Sequence, residues 1–222
     1  MRSDPFGGRY LFHLHTTYTD GEVPVAAYFE WGRRAGLDRL IFLEHIRTKP
    51  SYDVRAFIAE VKHAARTYGL PARVGFEAKL LPGGALDISP EHAAQADVLG
   101  LAEHGFPPDF DLWHASLRTA LANGARQVAE RPVVWVHPGL WLKRQGLLAA
   151  HEQEYRALLA EAQTLGIKLE WNLRYDLVPV ALRGALPPGS LVIGADAHRL
   201  TDAEVALTAL GAENAEGPPA SI

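Results

Sequence analysis

The sequence predicts an α/β protein in which seven parallel strands close into a barrel covered by helices. Short apolar runs alternate along the chain with segments whose apolar residues recur at helical spacing, and this alternation is typical of a parallel sheet covered by helices. Almost every apolar run also ends in His, Glu or Asp. An open doubly wound sheet would spread these polar ends along a line, whereas a barrel gathers them around one opening.

Seven short apolar runs are predicted to be strands. In chain order they are YLFHLH (10–15), RLIFLEH (39–45), ARVGFEA (72–78), DVLGLAEH (97–104), VVWVHP (133–138), KLEWNL (168–173) and LVIGADAH (191–198). Helices are predicted over 24–36, 53–69, 89–96, 110–125, 152–166 and 201–211. Several end in Gly, a common C-terminal stop. The connection between the sixth and seventh strands is short and contains Pro, which argues against a full helix there.

The composition is that of an ordinary globular protein. The chain has 222 residues, of which 48% are apolar and 22% charged. No internal linker is evident, so we predict one domain over 1–222 with its core at roughly 9–211 and loose tails at both ends, MRSDPFGG and AENAEGPPASI.

Charge and residue usage exclude several partners and chemistries. The formal net charge is −4, so no basic footprint suggests long nucleic acid as a partner. Cysteine is absent, so any metal must use nitrogen and oxygen ligands. The N-terminus lacks the apolar core of a signal peptide, and no apolar run approaches the ~18 residues of a membrane helix, so we expect no membrane and a cytoplasmic location. The sequence does not set the oligomeric state.

Two pairs of polar residues with the same spacing lie near the two ends of the chain. His13 and His15 lie two apart in the first strand, where alternation points both to one face. Asp196 and His198 repeat that spacing in the last strand. One such pair is weak evidence, but barrel closure would make the first and last strands neighbours. Together the pairs predict a metal clamp.

Five further residues extend this set. Four are at strand ends and one is in the first loop: His45, Glu77, His104, His137 and Asp20. A single histidine is more often a core or surface residue without a special role, and we expect none for His63, His92, His114 or His151. Nine polar groups at strand ends without a common partner would be costly to bury. The nine together therefore predict a metal site.

These motifs resemble the PHP superfamily of polymerase and histidinol phosphatase domains. HLHT…TDG, EH, GFE, VHPG and GADAH occur in the family's order over roughly 11–200. The resemblance implies a distorted (β/α)7 barrel, which agrees with the seven predicted units, and three divalent metal ions. Glu44 departs from the family, which usually has Asp there. A carboxylate at that position can orient a ligand without touching the metal.

The resemblance also implies how the ligands divide. One metal would be held by His13, His15, Glu77 and Asp196; a second by Glu77, His104 and His137; and a third by Asp20, His45 and His198. Zn, Mn and Fe all suit histidine and carboxylate ligands.

The implied reaction is hydrolysis of a small phosphate monoester by a metal-activated hydroxide, as in histidinol or nucleotide phosphatases. Glu77, His104 and Asp196 would be catalytic. Candidate substrate contacts are residues close to strand ends: Arg47, Lys79, Arg174 and Asn172. Asn172, together with Glu170, could instead brace a ligand. Trp141 and Trp171 are better explained by core packing.

Two other functions stay open. The chain could be another metal-dependent barrel hydrolase or nuclease of the amidohydrolase type, although those sites generally use fewer metals. It could also be a non-catalytic PHP scaffold, but decayed members lose ligands and all nine are present here.

Overall fold

The barrel consists of seven strands, all parallel and adjacent in chain order. The computed structural model describes residues 5–187 and 189–216, with side chains described as far as 211. The strands are β1 (Tyr10–Leu14), β2 (Arg39–Ile46), β3 (Ala72–Lys79), β4 (Val98–Ala102), β5 (Val133–Trp135), β6 (Lys168–Asn172) and β7 (Leu191–Gly194). The predicted fold class, a seven-stranded parallel α/β barrel, is confirmed.

The barrel closes between β1 and the residues that follow β7. Ala195 N donates to Phe12 O at 2.9 Å, and Ala197 N donates to His13 O at 2.9 Å. His15 N in turn donates to Ala197 O at 3.0 Å. The first and last polar motifs are therefore neighbours, as the barrel prediction requires.

Eight helices connect or follow the strands in the described part of the chain. They are α1 (Val25–Arg34), α2 (Val54–Tyr68), α3 (Pro90–Gln95), α4 (Phe110–Ala125), α5 (Leu140–Arg144), α6 (Glu152–Thr164), α7 (Val180–Arg183) and α8 (Leu200–Glu216). None of them is long and apolar enough to cross a membrane.

The structure adds to the predicted helices in three places. The short helices α5 and α7 were not predicted, because four or five residues are too few to show helical periodicity. The helix α8 continues to Glu216, five residues into the segment predicted as a tail. In the other predicted tail, 5–8 are described, and Phe6 packs edge to face on Tyr10 and Phe12 with ring centroids 5.6 and 5.2 Å apart, so this part is not loose. Residues 1–4 and 217–222 lie outside the described residues.

Alternation along the strands divides the core into two layers. In β2, Leu40 and Phe42 pack with helix residues such as Phe29, whereas Ile41 and Leu43 pack with residues of β1, β4, β5 and β7. Leu43 fills the barrel interior, and the glycines Gly75 and Gly100 beside it leave room for its side chain. A Cβ at either glycine would lie 2.8 Å from a Leu43 methyl. His45 continues this inward-facing series, so the apolar interior ends where the polar residues begin.

Candidate metal centre

The structure brings all nine candidate ligands together at the C-terminal ends of the strands. The six histidine rings form a continuous chain of neighbours with centroids 4.3–5.9 Å apart. Strand register sets part of this arrangement, since His45 pairs with Glu77 across β2 and β3. Active sites of parallel barrels lie at this face.

Glu77 is the centre of the cluster and is almost fully buried. Its Oε1 lies 2.8 Å from His137 Nε2 and 3.4 Å from His104 Nδ1. Its Oε2 lies 2.8 Å from His45 Nδ1, 3.6 Å from His15 Nε2 and 3.7 Å from His13 Nε2. The two carboxylate oxygens thus face different sets of histidines, which is the geometry of a bridging ligand.

Three groups of side chains have the spacing needed to hold a metal ion, with ligand atoms within 4.8 Å of one another. They are His13, His15 and Glu77; His45, Glu77 and His104; and His15, Asp20, His45 and His198. His45 belongs to two groups, whereas the resemblance implied only one. Asp196 Oδ1 lies 3.6 Å from both His15 Nε2 and His198 Nδ1. It therefore lies next to two of the three groups, the one that contains His13 and His15 and the one that contains His198.

The polar atoms at the centre are suited to a cation. His13 Nε2, His15 Nε2, His45 Nδ1 and Glu77 Oε2 are buried and make no well-aligned hydrogen bond to any described residue, although His45 Nδ1 and Glu77 Oε2 lie 2.8 Å apart. Unpartnered buried polar atoms are rare because their desolvation is not compensated. Divalent cations would compensate it, and this set of imidazole and carboxylate donors fits Zn, Mn or Fe.

The pKa values of the candidate ligands shift in two directions. Burial opposes the shift, but carboxylate neighbours raise the pKa of His13, His45, His137 and His198, so a metal ion would have to displace a proton there. Burial lowers the pKa of His104 to about 3 and also lowers the pKa of His15, so both rings are neutral at pH 7 and offer lone pairs. Burial alone would raise the pKa of Glu77, but contacts with His45, His13 and His137 keep it well below its ordinary value. Burial likewise opposes ionisation of Asp196, yet His13 and His15 bring its pKa to about 2.

Glu170 and Asn172, both in β6, support the ligands from behind. Glu170 Oε1 accepts from His13 Nδ1 at 2.5 Å, and Oε2 accepts from His137 N at 2.6 Å. Asn172 Nδ2 donates to Glu170 Oε2 at 3.0 Å and to Asp196 Oδ2 at 3.2 Å, while its Oδ1 accepts from Tyr175 N. Asn172 is fully buried and its polar atoms are all used. These contacts favour the bracing role that the sequence left open over its expected role as a substrate contact.

Glu44 supports the first loop. Its Oε2 accepts from Thr16 N at 3.0 Å and from Thr16 Oγ1 at 2.6 Å, and its Oε1 accepts from Thr19 Oγ1. The same Oε1 lies 3.7 Å from His15 Nδ1. The side chain thus reaches both the loop that carries Asp20 and the rear of a ligand.

A cavity of about 220 Å³, here called the metal cavity, opens above the cluster. Seven of the nine ligands line it, together with Leu140, Arg144, Arg174 and Tyr175, while His13 and His15 are buried beneath. Arg174 Nη1 donates to Asp196 O at 3.3 Å and contacts His198 Nδ1. Arg174 therefore lines the cavity above the candidate ligands, and its role as a substrate contact stays a prediction.

Arg144 lines the metal cavity and was not anticipated. It lies at the end of α5, and a helix of five residues gives no periodicity from which its position could be read. Its Nη2 donates to Tyr175 Oη at 3.3 Å.

The other two predicted substrate contacts are not in the metal cavity. Arg47 lines a second cavity of about 440 Å³, here called the side cavity, which shares Asp20, His45 and His104 with the first. Lys79, the last residue of β3, lines neither of these two cavities.

No family model matches the chain, and no curated protein matches it. Solved structures that resemble it include a protein from Bifidobacterium adolescentis assigned as a metal-dependent phosphoesterase, with 18% identity over 88% of this chain and 90% of that one and a TM-score of 0.45. They also include a two-domain protein from Bacteroides vulgatus containing a predicted PHP-like metal-dependent phosphoesterase, with 16% identity and a TM-score of 0.41; the match covers 73% of this chain and half of that one.

A third is N-isopropylammelide isopropylaminohydrolase from Burkholderia multivorans, with 17% identity over 82% of this chain and 60% of that one and a TM-score of 0.46. At such identities and scores the case for a function depends on the site itself.

Proposed function

We propose that the chain is a metal-dependent hydrolase of small phosphate monoesters that works with three divalent ions, Zn, Mn or Fe. The observation that carries this proposal is the cluster around Glu77, in which five histidine rings surround one buried carboxylate at the opening of a barrel. A purely structural cluster would join these atoms by well-aligned hydrogen bonds, whereas several of those that face the centre make none.

The proposed ligands divide around the two oxygens of Glu77. His13, His15 and Asp196 would complete one site, and His104 and His137 a second. Asp20 would join His45 and His198 in the third, since Asp20 Oδ2 lies 3.3 Å from His45 Nε2 and 3.4 Å from His198 Nε2. Glu77, His104 and Asp196 are the proposed catalytic residues because all three line the metal cavity where the phosphoryl group would lie.

Metal ions at such a site lower the pKa of water and offset the charge of the phosphoryl oxygens. The residues of this chain would supply position and orientation. Glu170 holds His13 by its Nδ1, which directs the Nε2 lone pair toward the centre. Arg174 would donate to phosphoryl oxygens from the cavity wall, where a guanidinium matches two oxygens at once.

The decisive experiment combines metal content with phosphate release. Metal-depleted protein is reloaded separately with Zn, Mn and Fe and is then assayed on a panel of phosphate monoesters. We expect up to three bound ions per chain and release of inorganic phosphate from at least one small ester. Loaded protein that releases no phosphate from any of them would refute the proposal.

A variant tests the central role of Glu77. Glu77→Gln should reduce both metal content and turnover by at least a hundredfold, because an amide bridges two cations poorly. The matched control is Glu161→Gln, which removes a surface carboxylate paired with Arg118. If Glu77→Gln kept the parental metal content and rate, the bridging role would be wrong.

A further inference from the structure

The side cavity lies beside the metal cavity and has about twice its volume, 440 Å³ against 220 Å³. Three candidate ligands, Asp20, His45 and His104, line both. The remaining lining of the side cavity comes from Ile46 at the end of β2 and from the loops after β1 and β2, namely Tyr18, Thr19, Arg47, Pro50, Ser51 and Tyr52. A phosphoryl group held at the shared ligands would therefore have space for its alcohol part on this side.

Two fixed aromatic rings form a wall of the side cavity. Tyr18 and Tyr52 meet edge to face with centroids 5.7 Å apart, and both pack against Phe57 of α2. Tyr18 Oη donates to Glu60 Oε2 at 2.7 Å, and Tyr52 Oη donates to His45 O at 3.1 Å. Both hydroxyls are thus used to hold the rings in place, so the tyrosines offer the cavity aromatic surface.

Arg47 adds a guanidinium to the same cavity. Its Nη1 donates to Ile46 O at 2.9 Å, and its Nε lies 3.6 Å from Asp87 Oδ2. Asp87 is itself fixed by Thr48, whose N and Oγ1 donate to Oδ1 at 2.9 and 2.7 Å. The side chain of Arg47 is still 41% exposed, so a held guanidinium remains accessible to a ligand. Arg47 and Arg174 therefore serve different cavities.

The opposite wall of the metal cavity is less suited to an aromatic ligand. Among the described residues, Tyr175 is its only aromatic lining residue besides histidine, and the guanidinium groups of Arg144 and Arg174 already lie 5.6 and 5.8 Å from the centroid of that ring. Arg144 and Arg174 thus already occupy positions close to the Tyr175 ring, whereas Tyr18, Tyr52 and Arg47 in the side cavity are available to a ligand.

We infer that the side cavity binds the alcohol part of the phosphate ester, and that Tyr18, Tyr52 and Arg47 select esters whose alcohol carries a planar aromatic ring. The inference rests on the proposed function, because the shared ligands must hold the phosphoryl group. A flat ring can pack on the tyrosines and beneath the guanidinium, and both contacts favour aromatic over saturated groups.

Binding of phosphonates tests this without requiring turnover. Metal-loaded protein is titrated calorimetrically with methylphosphonate, benzylphosphonate and cyclohexylmethylphosphonate, which share the anionic group and differ in the attached part. We expect benzylphosphonate to bind at least tenfold more tightly than either of the others. Tyr18→Ala and Arg47→Ala should each weaken benzylphosphonate about tenfold and change methylphosphonate less than twofold.

The controls separate recognition from folding. Tyr18→Phe keeps the ring and should keep the preference, and Arg55→Ala removes an exposed arginine paired with Glu91 outside the cavity. Where Tyr18→Ala does not fold, Tyr18→Leu fills the same space without an aromatic face and should lose the preference.

The outcomes distinguish the two proposals. Methylphosphonate binding without an advantage for benzylphosphonate, or equal losses for both ligands in the variants, would overturn this inference and leave the proposed function standing. Failure of all three phosphonates to bind would overturn the proposed function, and this inference with it.

Discussion

Glu170 offers the sharpest test of how the candidate metal centre is built, because it contacts two ligands and belongs to none of the three proposed metal groups. Its carboxylate is fully buried and accepts three hydrogen bonds, from His13 Nδ1 on Oε1 and from His137 N and Asn172 Nδ2 on Oε2. Glu170→Gln is nearly isosteric, so it changes the donor pattern without opening a cavity.

The amide can satisfy only one side of this arrangement. If its oxygen replaces Oε2, the bonds from His137 and Asn172 persist, but the NH2 group then faces His13 Nδ1. His13 must move its proton to Nε2, the atom that points toward Glu77, or lose its partner. The first outcome removes the Nε2 lone pair that would bind the metal, and the second removes the hydrogen bond that orients the ring. A charge-assisted hydrogen bond contributes roughly 1.5–3 kcal/mol, so metal affinity should fall about ten- to a hundredfold.

The assay is competition for the metal between the protein and a chromophoric chelator, with thermal unfolding of the metal-depleted protein as a check on folding. Glu161→Gln again serves as the control, since Glu161 pairs with Arg118 at the surface. Parental metal affinity in a folded Glu170→Gln protein would refute the argument that β6 sets the orientation of His13.

Three further predictions concern the wall behind the site, the substrate and the metals. Gly194→Ala should lower the free energy of unfolding by about 2 kcal/mol or more in urea titrations, because an added Cβ would overlap the Glu170 carboxylate; Gly184→Ala, which meets no atom within 4 Å, should not. Arg174→Ala should raise KM about ten- to a hundredfold with a smaller effect on kcat, measured by steady-state kinetics on the best ester. An unchanged KM would mean that Arg174 contacts only other residues of the protein and not the substrate. Metal removal should lower the unfolding temperature, since an ion present at a hundred times its Kd adds about 2.7 kcal/mol, and re-addition should restore it.

The strand ends could be predicted well because one local signal marks them. An apolar run ending in His, Glu or Asp identified the six strands that carry or precede candidate ligands. The parallel topology of the barrel is enough to bring these strand ends together. Arg144 could not be predicted in this way, since its position depends on α5. Lys79 lies two residues after Glu77 in β3, so alternation predicts that both side chains are on the same face of the strand, yet Lys79 lines neither cavity. Alternation predicts the face that a side chain occupies but not whether the side chain extends to a cavity.

The first histidine pair shows a prediction that reached the right result by an incomplete route. Regular alternation predicted the rings of His13 and His15 on one face, and their centroids are 4.9 Å apart. The register of β1 against β2, however, shifts between Phe12 and Leu14, so His13 is an extra residue in a bulge with φ of 67°. Bulges next to active sites redirect side chains, and nothing in the sequence marks this one.

The supporting role of β6 follows from the backbone of the ligands. His13, His137 and Asp196 have φ values of 67°, 33° and 47°, a region that glycine adopts easily and other residues occupy at a cost of about 1 kcal/mol or more each. Glycine has no side chain to offer a metal, so the proposed ligand role would require side chains held in an unfavourable backbone conformation by their surroundings. Glu170 holds His13 by its ring and His137 by its backbone N–H, while Asn172 holds Asp196 by its carboxylate. The strand that contributes none of the nine candidate ligands thus contacts all three that have this backbone conformation, which gives a physical reason for the burial of Glu170 and Asn172.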